Sequence, residues 1–104
     1  MTLSAQQGNM PTPEESAKRT TQMMKDSLNL SKQQIAPVDS INLVYSKAMS
    51  KLFQDANGDF SNIREDMQKL GATRDKALEK FLTDEQLQAF KKMMERRMRN
   101  FGNR

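Results

Sequence analysis

Apolar residues recur at intervals of three and four along most of the chain, which is the spacing that places side chains on one face of an α-helix. The pattern predicts an all-α fold of four helices, over residues 13–28, about 31–56, 59–81 and 84–100. The residues expected on the apolar faces are, helix by helix, Ala17, Met24 and Leu28; Val38, Ile41, Tyr45, Ala48 and Leu52, widened by Val44, Met49 and Phe53; Phe60, Ile63, Met67, Leu70, Ala77 and Phe81; and Leu87, Phe90, Met94 and Met98, with Phe101 as a further candidate.

Two short motifs, LSKQQI at 30–35 and LTDEQL at 82–87, start the second and fourth helices. In each, a hydroxyl residue can cap the helix and the glutamine three residues later can reach back to the cap N–H, which is a capping box. The leucine before the cap and the aliphatic residue after the glutamine can form a hydrophobic staple. The motif residues are Leu30, Ser31, Gln34, Leu82, Thr83 and Gln86.

Three residues disturb the helical pattern. Pro37 falls in the second turn of its helix and removes one backbone hydrogen bond, so we expect a kink or a 3₁₀ start there. Gly71 and Arg74 interrupt the apolar face of the third helix, and together they predict a bend or an open surface.

The chain is predicted to hold one domain, at 13–101, between a leader at 1–12 and a basic tail at 102–104, both disordered. The leader resembles the end of a secretory signal; an ordinary disordered leader is the alternative. The domain divides into two successive helix–helix units, 13–56 and 59–100. Its second helix, of about 26 residues, would be ~39 Å long. This length favours an elongated, bent hairpin that a second copy completes as a homodimer.

Composition narrows the chemistry. The chain has no Cys and no His, which excludes disulfides, imidazole general bases and metal sites built on imidazole or thiolate. No phosphate-binding loop or nucleophile motif is present, so we expect neither an enzyme nor a cofactor. No apolar run is long enough to predict a membrane span.

The two boxes, about fifty residues apart in a small, methionine-rich helical chain, resemble the LTxxQ-motif family of Spy- and CpxP-like periplasmic proteins. The second box matches fully, and Ser31 replaces Thr in the first. The resemblance implies a cradle-shaped, antiparallel homodimer that acts in the periplasm as an ATP-independent chaperone of unfolding proteins. CpxP-like members bind an envelope-stress sensor kinase, which gives a regulatory alternative. Related members sense zinc, nickel or cobalt, but the absence of His argues against that branch.

Positive charge is concentrated after residue 82. A basic rim there could attract acidic, unfolded clients, although a solvated helix face that complements the helix dipole explains it as well. Nucleic acid is a less favoured partner, because acidic residues dilute the patch and no recognised binding motif is present. The basic rim comprises Lys91, Lys92, Arg96, Arg97 and Arg99.

A second candidate surface mixes cations with apolar residues on the central helices. Nine methionines would suit an adaptable surface, although some are expected to fill the core. The alternative for the cations is pairing with acidic neighbours such as Glu65, Asp66 and Asp75 on a solvated face. The predicted client-binding residues are Lys47, Lys51, Phe53, Arg64, Met67, Leu70 and Arg74.

Overall fold

The computed structural model describes residues 12–59, 61 and 63–102, with side chains described up to Arg97. These residues form four α-helices and no strand, which confirms the all-α prediction. The helices are α1 (Pro13–Leu28), α2 (Lys32–Ala56), α3 (Ile63–Leu78) and α4 (Asp84–Gly102). The predictions for residues 1–11 of the leader, for residues 103–104 of the tail, for Phe60, and for the side chains of Met98, Arg99 and Phe101 lie outside the described part. Gly102, which was assigned to the disordered tail, is instead the last residue of α4.

The helices begin where their caps predict. Thr12 caps α1: its hydroxyl accepts the Glu15 N–H at 3.1 Å, and the Glu15 carboxylate accepts the Thr12 N–H at 3.1 Å. At α4 the Thr83 hydroxyl accepts the Gln86 N–H at 3.1 Å, and the Gln86 side chain accepts the Thr83 N–H at 3.0 Å. These are capping boxes, which satisfy backbone donors that the first helical turn leaves free.

Asparagine residues end the first two helices. Asn29 and Asn57 have φ of 61° and 54°, in the left-handed region that asparagine adopts more readily than most residues. Gly58 follows with φ of 92°, where any side chain would be strained. The chain therefore reverses sharply after α1 and again after α2.

The third helix is shorter at both ends than its apolar pattern predicts. Asp59 and Ser61 are not helical, because the Asp59 carboxylate accepts the Ser61 N–H at 3.2 Å and its hydroxyl at 2.7 Å. Such a local turn competes with helix formation. After Leu78 the chain passes through tight turns that carry Leu82 into the core, where it is buried.

Pro37 does not give its helix the 3₁₀ start that was one of the two expectations. The second helix is α-helical from Lys32 through Ala56, so the 3₁₀ start is wrong. The carbonyl that loses its partner belongs to Gln33, which is exposed. Water can therefore replace the missing hydrogen bond.

The core lies where the two motif-bearing turns meet. The second helix packs against α1 on one side and α3 on the other, and α4 packs against α1. Leu78 is fully buried although the pattern did not select it, whereas the predicted Phe81 is 43% exposed, because α3 ends before it. The buried cluster comprises Met24, Leu28, Leu30, Val38, Leu78, Leu82, Leu87 and Phe90.

The two halves of the chain correspond in the length and spacing of their first helices, although α2 has 25 residues and α4 has 19. Both α1 and α3 contain 16 residues, and they lie 50 positions apart. The connection after α3 (79–83) is two residues longer than the one after α1 (29–31), so the boxes and the helices that they start lie 52 apart. Leu28 thus corresponds to Leu78, and Val38 to Phe90, and all four are buried.

Candidate functional site

The two motif boxes lie against each other at the centre of the molecule. Gln34 Nε2 donates to Gln86 Oε1 at 2.7 Å, and Gln86 Nε2 donates to Gln34 Oε1 at 3.3 Å. Each side-chain oxygen also accepts the N–H of its own cap residue, Ser31 at 2.8 Å or Thr83 at 3.0 Å. Each amide therefore closes its own helix start and joins the other.

The same amides also bind the ends of the preceding helices. Gln34 Nε2 donates to the carbonyl of Phe81 at 2.8 Å, and Gln86 Nε2 donates to the carbonyl of Leu28 at 3.1 Å. The leucines that precede the caps, Leu30 and Leu82, are buried in the shared core. The hydrogen bonds between the boxes come only from side-chain amides and backbone carbonyls, and in this structure they connect the two halves.

A second polar cluster lies between α1 and α2. Asn42 is 1% exposed, and its Nδ2 donates to the Thr21 hydroxyl at 2.9 Å and to Met24 Sδ at 3.5 Å. Thr21 in turn donates to the Asp39 carboxylate at 2.8 Å. Asn42 Oδ1 is buried without a hydrogen-bond partner among the described residues. Helical spacing assigned position 42 to neither face, so the sequence analysis missed this cluster.

The position of Arg74 in the second half of the chain corresponds to a core position in the first half. It corresponds to Met24, which is fully buried, and its own side chain is only 10% exposed. The guanidinium carbon lies 4.4 Å from the ring centre of Tyr45 and 4.9 Å from that of Phe90. Arg74 Nε donates to the Asp75 carboxylate at 3.1 Å. The guanidinium therefore packs against two rings, and little of the Arg74 side chain is exposed.

A groove between α1 and α2, the α1–α2 groove, has a volume of about 580 Å³. Residues of α3 and α4 complete it. Among the described residues, two arginines and no carboxylate line it, beside apolar side chains and a set of hydroxyls and amides. Its lining comprises Pro13, Ser16 and Thr20; Asn42, Tyr45, Ser46, Met49, Ser50, Phe53 and Gln54; and Arg74, Met94 and Arg97.

The smaller α2–α3 groove, of 250 Å³, is almost entirely apolar. Val44 lies in it and is 70% exposed, although the sequence pattern placed it on the apolar side of α2. Arg74 lines both grooves and so lies between them. The groove is lined by Ser40, Ile41, Val44, Tyr45, Ala48, Leu70, Thr73, Arg74 and Ala77.

The predicted client-binding residues do not form one continuous surface around a groove. Phe53 lines the α1–α2 groove, Leu70 lines the α2–α3 groove, and Arg74 lines both. The other four line neither: Lys47, Lys51 and Arg64 are exposed, and Met67 is half-buried. Of the cations, Lys51 lies 3.6 Å from Asp55 in an exposed pair, which contributes little to stability.

The residues of the predicted basic rim, as far as they are described, are on the surface. Lys91, Lys92, Arg96 and Arg97 are exposed. Arg97 also lines the α1–α2 groove, and its Nη1 donates to Met23 Sδ at 3.4 Å. The rim and the larger groove are thus adjoining surfaces.

Within 12–59, 61 and 63–102, no group of three or more acidic side chains is arranged to hold a metal ion. None of the helices in this part of the chain combines the length and apolar character needed to cross a membrane.

The fold and the joined boxes define the class: a small all-α protein built from two corresponding helix pairs. Residues 4–90, which are 87 of the 104 residues, match the family model described as "Domain of unknown function (DUF4890)". The chain therefore belongs to that family. No curated protein and no solved structure matches the chain.

Proposed function

We propose that the protein is an ATP-independent chaperone of the Spy type, which acts in the periplasm on unfolding proteins without catalysis or cofactor. The observation that carries this proposal is the α1–α2 groove, where Arg74 and Arg97 lie beside Tyr45, Met49 and Phe53. Such a surface can attract an unfolded chain by charge and hold it through weak apolar contacts. Methionine suits a surface that accepts many partners.

The proposed state is a homodimer. A solvent-exposed apolar strip on a small protein commonly marks a protein contact. The α2–α3 groove offers such a strip, with Val44 70% exposed at its side. We propose that a second copy covers this groove and leaves the α1–α2 groove free. Sedimentation of the wild-type chain and of Val44→Glu tests this: the substitution should shift dimer to monomer, and an unchanged mass would contradict the assignment of the interface.

Chaperone activity is tested by light scattering from a chemically unfolded model protein diluted into buffer without ATP. Suppression at up to equimolar protein is expected, and a full aggregation signal at that ratio would refute the proposal. Serum albumin at equal mass controls for nonspecific protection.

A CpxP-like regulatory role is the second candidate. The exposed cations of the basic rim favour it, because they could dock on an acidic face of a sensor domain. A pull-down with the periplasmic domain of a sensor kinase encoded beside the protein separates the two roles. Specific, salt-sensitive capture without suppression of aggregation would favour regulation.

A further inference from the structure

The geometry points to the α1–α2 groove as a site for an extended peptide segment, in which Arg74 recognises a carboxylate. The inference rests on the proposed function for the class of ligand. It deepens that function because it names one groove and one chemical group by which clients would be selected.

Arg74 has hydrogen-bonding capacity that the described residues leave unused. Its Nε is paired with Asp75, and its guanidinium is stacked on two rings. Its Nη1 and Nη2 groups have no acceptor among the described residues. The Arg74 side chain is nine-tenths buried, and a guanidinium in such a setting is stabilised when a carboxylate accepts two parallel N–H bonds. The position therefore favours an anionic ligand group that approaches from a groove.

The charge of the α1–α2 groove favours the same ligand. Its lining, within the described part of the chain, includes Arg74 and Arg97 but no acidic residue. The α2–α3 groove also borders Arg74, but apart from that side chain its lining is apolar or carries single hydroxyls. A carboxylate-bearing segment is thus better complemented by the α1–α2 groove.

The rest of the lining fits a peptide. The second helix presents two rows to the groove, each at intervals of four residues: Ser46, Ser50 and Gln54, and beside them Tyr45, Met49 and Phe53. Hydroxyls and amides can bond the N–H and C=O groups of an extended backbone. The apolar row can contact its side chains. This mixture is suited to a polymer with both polar backbone and apolar side chains.

The size of the groove agrees with a short segment. Its lining on α2 runs from Asn42 to Gln54, which is about 18 Å at ~1.5 Å per helical residue. An extended chain covers that distance in about five residues. The volume of 580 Å³ also lies within the range of about 300–1,000 Å³ that is usual for ligand sites.

The test measures binding of labelled peptides to the full chain by fluorescence anisotropy, with a neutral dye. One peptide has apolar residues around a single Glu and an amidated end, and its matched partner has Gln in place of Glu. A third carries Gln and a free terminal carboxylate, which distinguishes a side-chain carboxylate from a chain end. We expect a carboxylate to tighten binding by about tenfold or more, as for a charge-assisted hydrogen bond.

Arg74→Met should abolish the preference for the carboxylate, since Met24 shows that methionine fits the corresponding core position. Arg74→Gln is a second neutral variant. If Arg74→Met does not fold, Arg74→Gln shows whether the preference for the carboxylate depends on Arg74. Lys92→Met removes an exposed cation that lines neither groove, and it should keep the preference. Equal binding of all three peptides, or a preference that survives loss of Arg74, would overturn the inference.

Two outcomes separate this inference from the proposed function. If the wild-type chain suppresses aggregation and prefers no carboxylate, the chaperone proposal stands and the role of Arg74 falls. If the carboxylate preference depends on Arg74 but aggregation is not suppressed, the peptide site stands and the chaperone proposal falls.

Discussion

The two halves of the molecule use the same frame differently at two pairs of corresponding positions. In the first half Met24 is fully buried, and at the corresponding position of the second half Arg74 is enclosed by Tyr45 and Phe90. Positions 21 and 71, three residues before this pair, also correspond and also differ. Thr21 is part of a hydrogen-bonded polar cluster in the first half, whereas the second half has Gly71 at that position. The first half thus completes its core, and the second keeps a charged group beside two grooves.

The largest effect is expected from placing the charge in the first half. Met24→Arg would put a cation at a site with no exposed surface, at a cost of about 3–5 kcal/mol. Denaturant unfolding followed by circular dichroism measures the loss. Ser27→Arg, on the exposed side of the same helix, is the control and should change stability by no more than about 0.5 kcal/mol. If Met24→Arg lowered the free energy of unfolding only slightly, position 24 would accept a cation as position 74 does. The two halves would then be interchangeable at this position.

Cutting the connection between the halves should come next. Gln86→Ala leaves the Thr83 N–H and the Leu28 carbonyl without their side-chain partner and removes one partner of Gln34, and should cost about 2–3 kcal/mol. In a double-mutant cycle with Gln34→Ala, unfolding should reveal a coupling of about 1 kcal/mol or more. The exposed Gln88→Ala serves as control. Strictly additive losses would mean that the boxes act only as separate helix caps.

The reverse exchange, Arg74→Met, should change the free energy of unfolding by only about 1 kcal/mol. It removes two ring contacts and one ion pair, but it also removes the cost of burying the guanidinium. The same unfolding assay measures the change. A loss near that of Met24→Arg would assign Arg74 to the stability of the fold and weaken its role as a binding group.

A smaller, opposite change is expected at Gly71. A Cβ there would lie 3.7 Å from Arg74 Nη2, an ordinary contact, so Gly71→Ala should stabilise the helix by about 0.5–1 kcal/mol. Thermal unfolding measures the gain. A destabilised variant would indicate that the guanidinium needs the space above Gly71.

The smallest effect concerns the turn between the halves. The Ser61 hydroxyl, and then its N–H, hold the pKa of Asp59 below its usual 3.8. Because the folded-state pKa is lowered, this contribution to stability is present above pH 3.8 and is lost as the pH falls through the lowered value. Ser61→Ala should return the pKa of Asp59 toward 3.8, as measured by NMR titration of its carboxyl group. An unchanged pKa would exclude the hydroxyl as the main cause.

The sequence by itself determined the helices, because their signals are local. Apolar spacing located all four, and Thr12, Ser31 and Thr83 marked three starts within one or two residues. The ends of α3 were misplaced since the turns at Asp59 and after Leu78 depend on contacts that the apolar pattern does not record.

Only the tertiary structure decided how those elements are used. It joined Gln34 to Gln86 across 52 positions, buried Asn42, and enclosed Arg74 between rings from α2 and α4. A capping box is satisfied within three residues and looks the same whether or not a second box lies against it. Only the packing of distant helices decides which acceptors the side-chain N–H groups of Gln34 and Gln86 bond. The same packing decides the environment of Arg74.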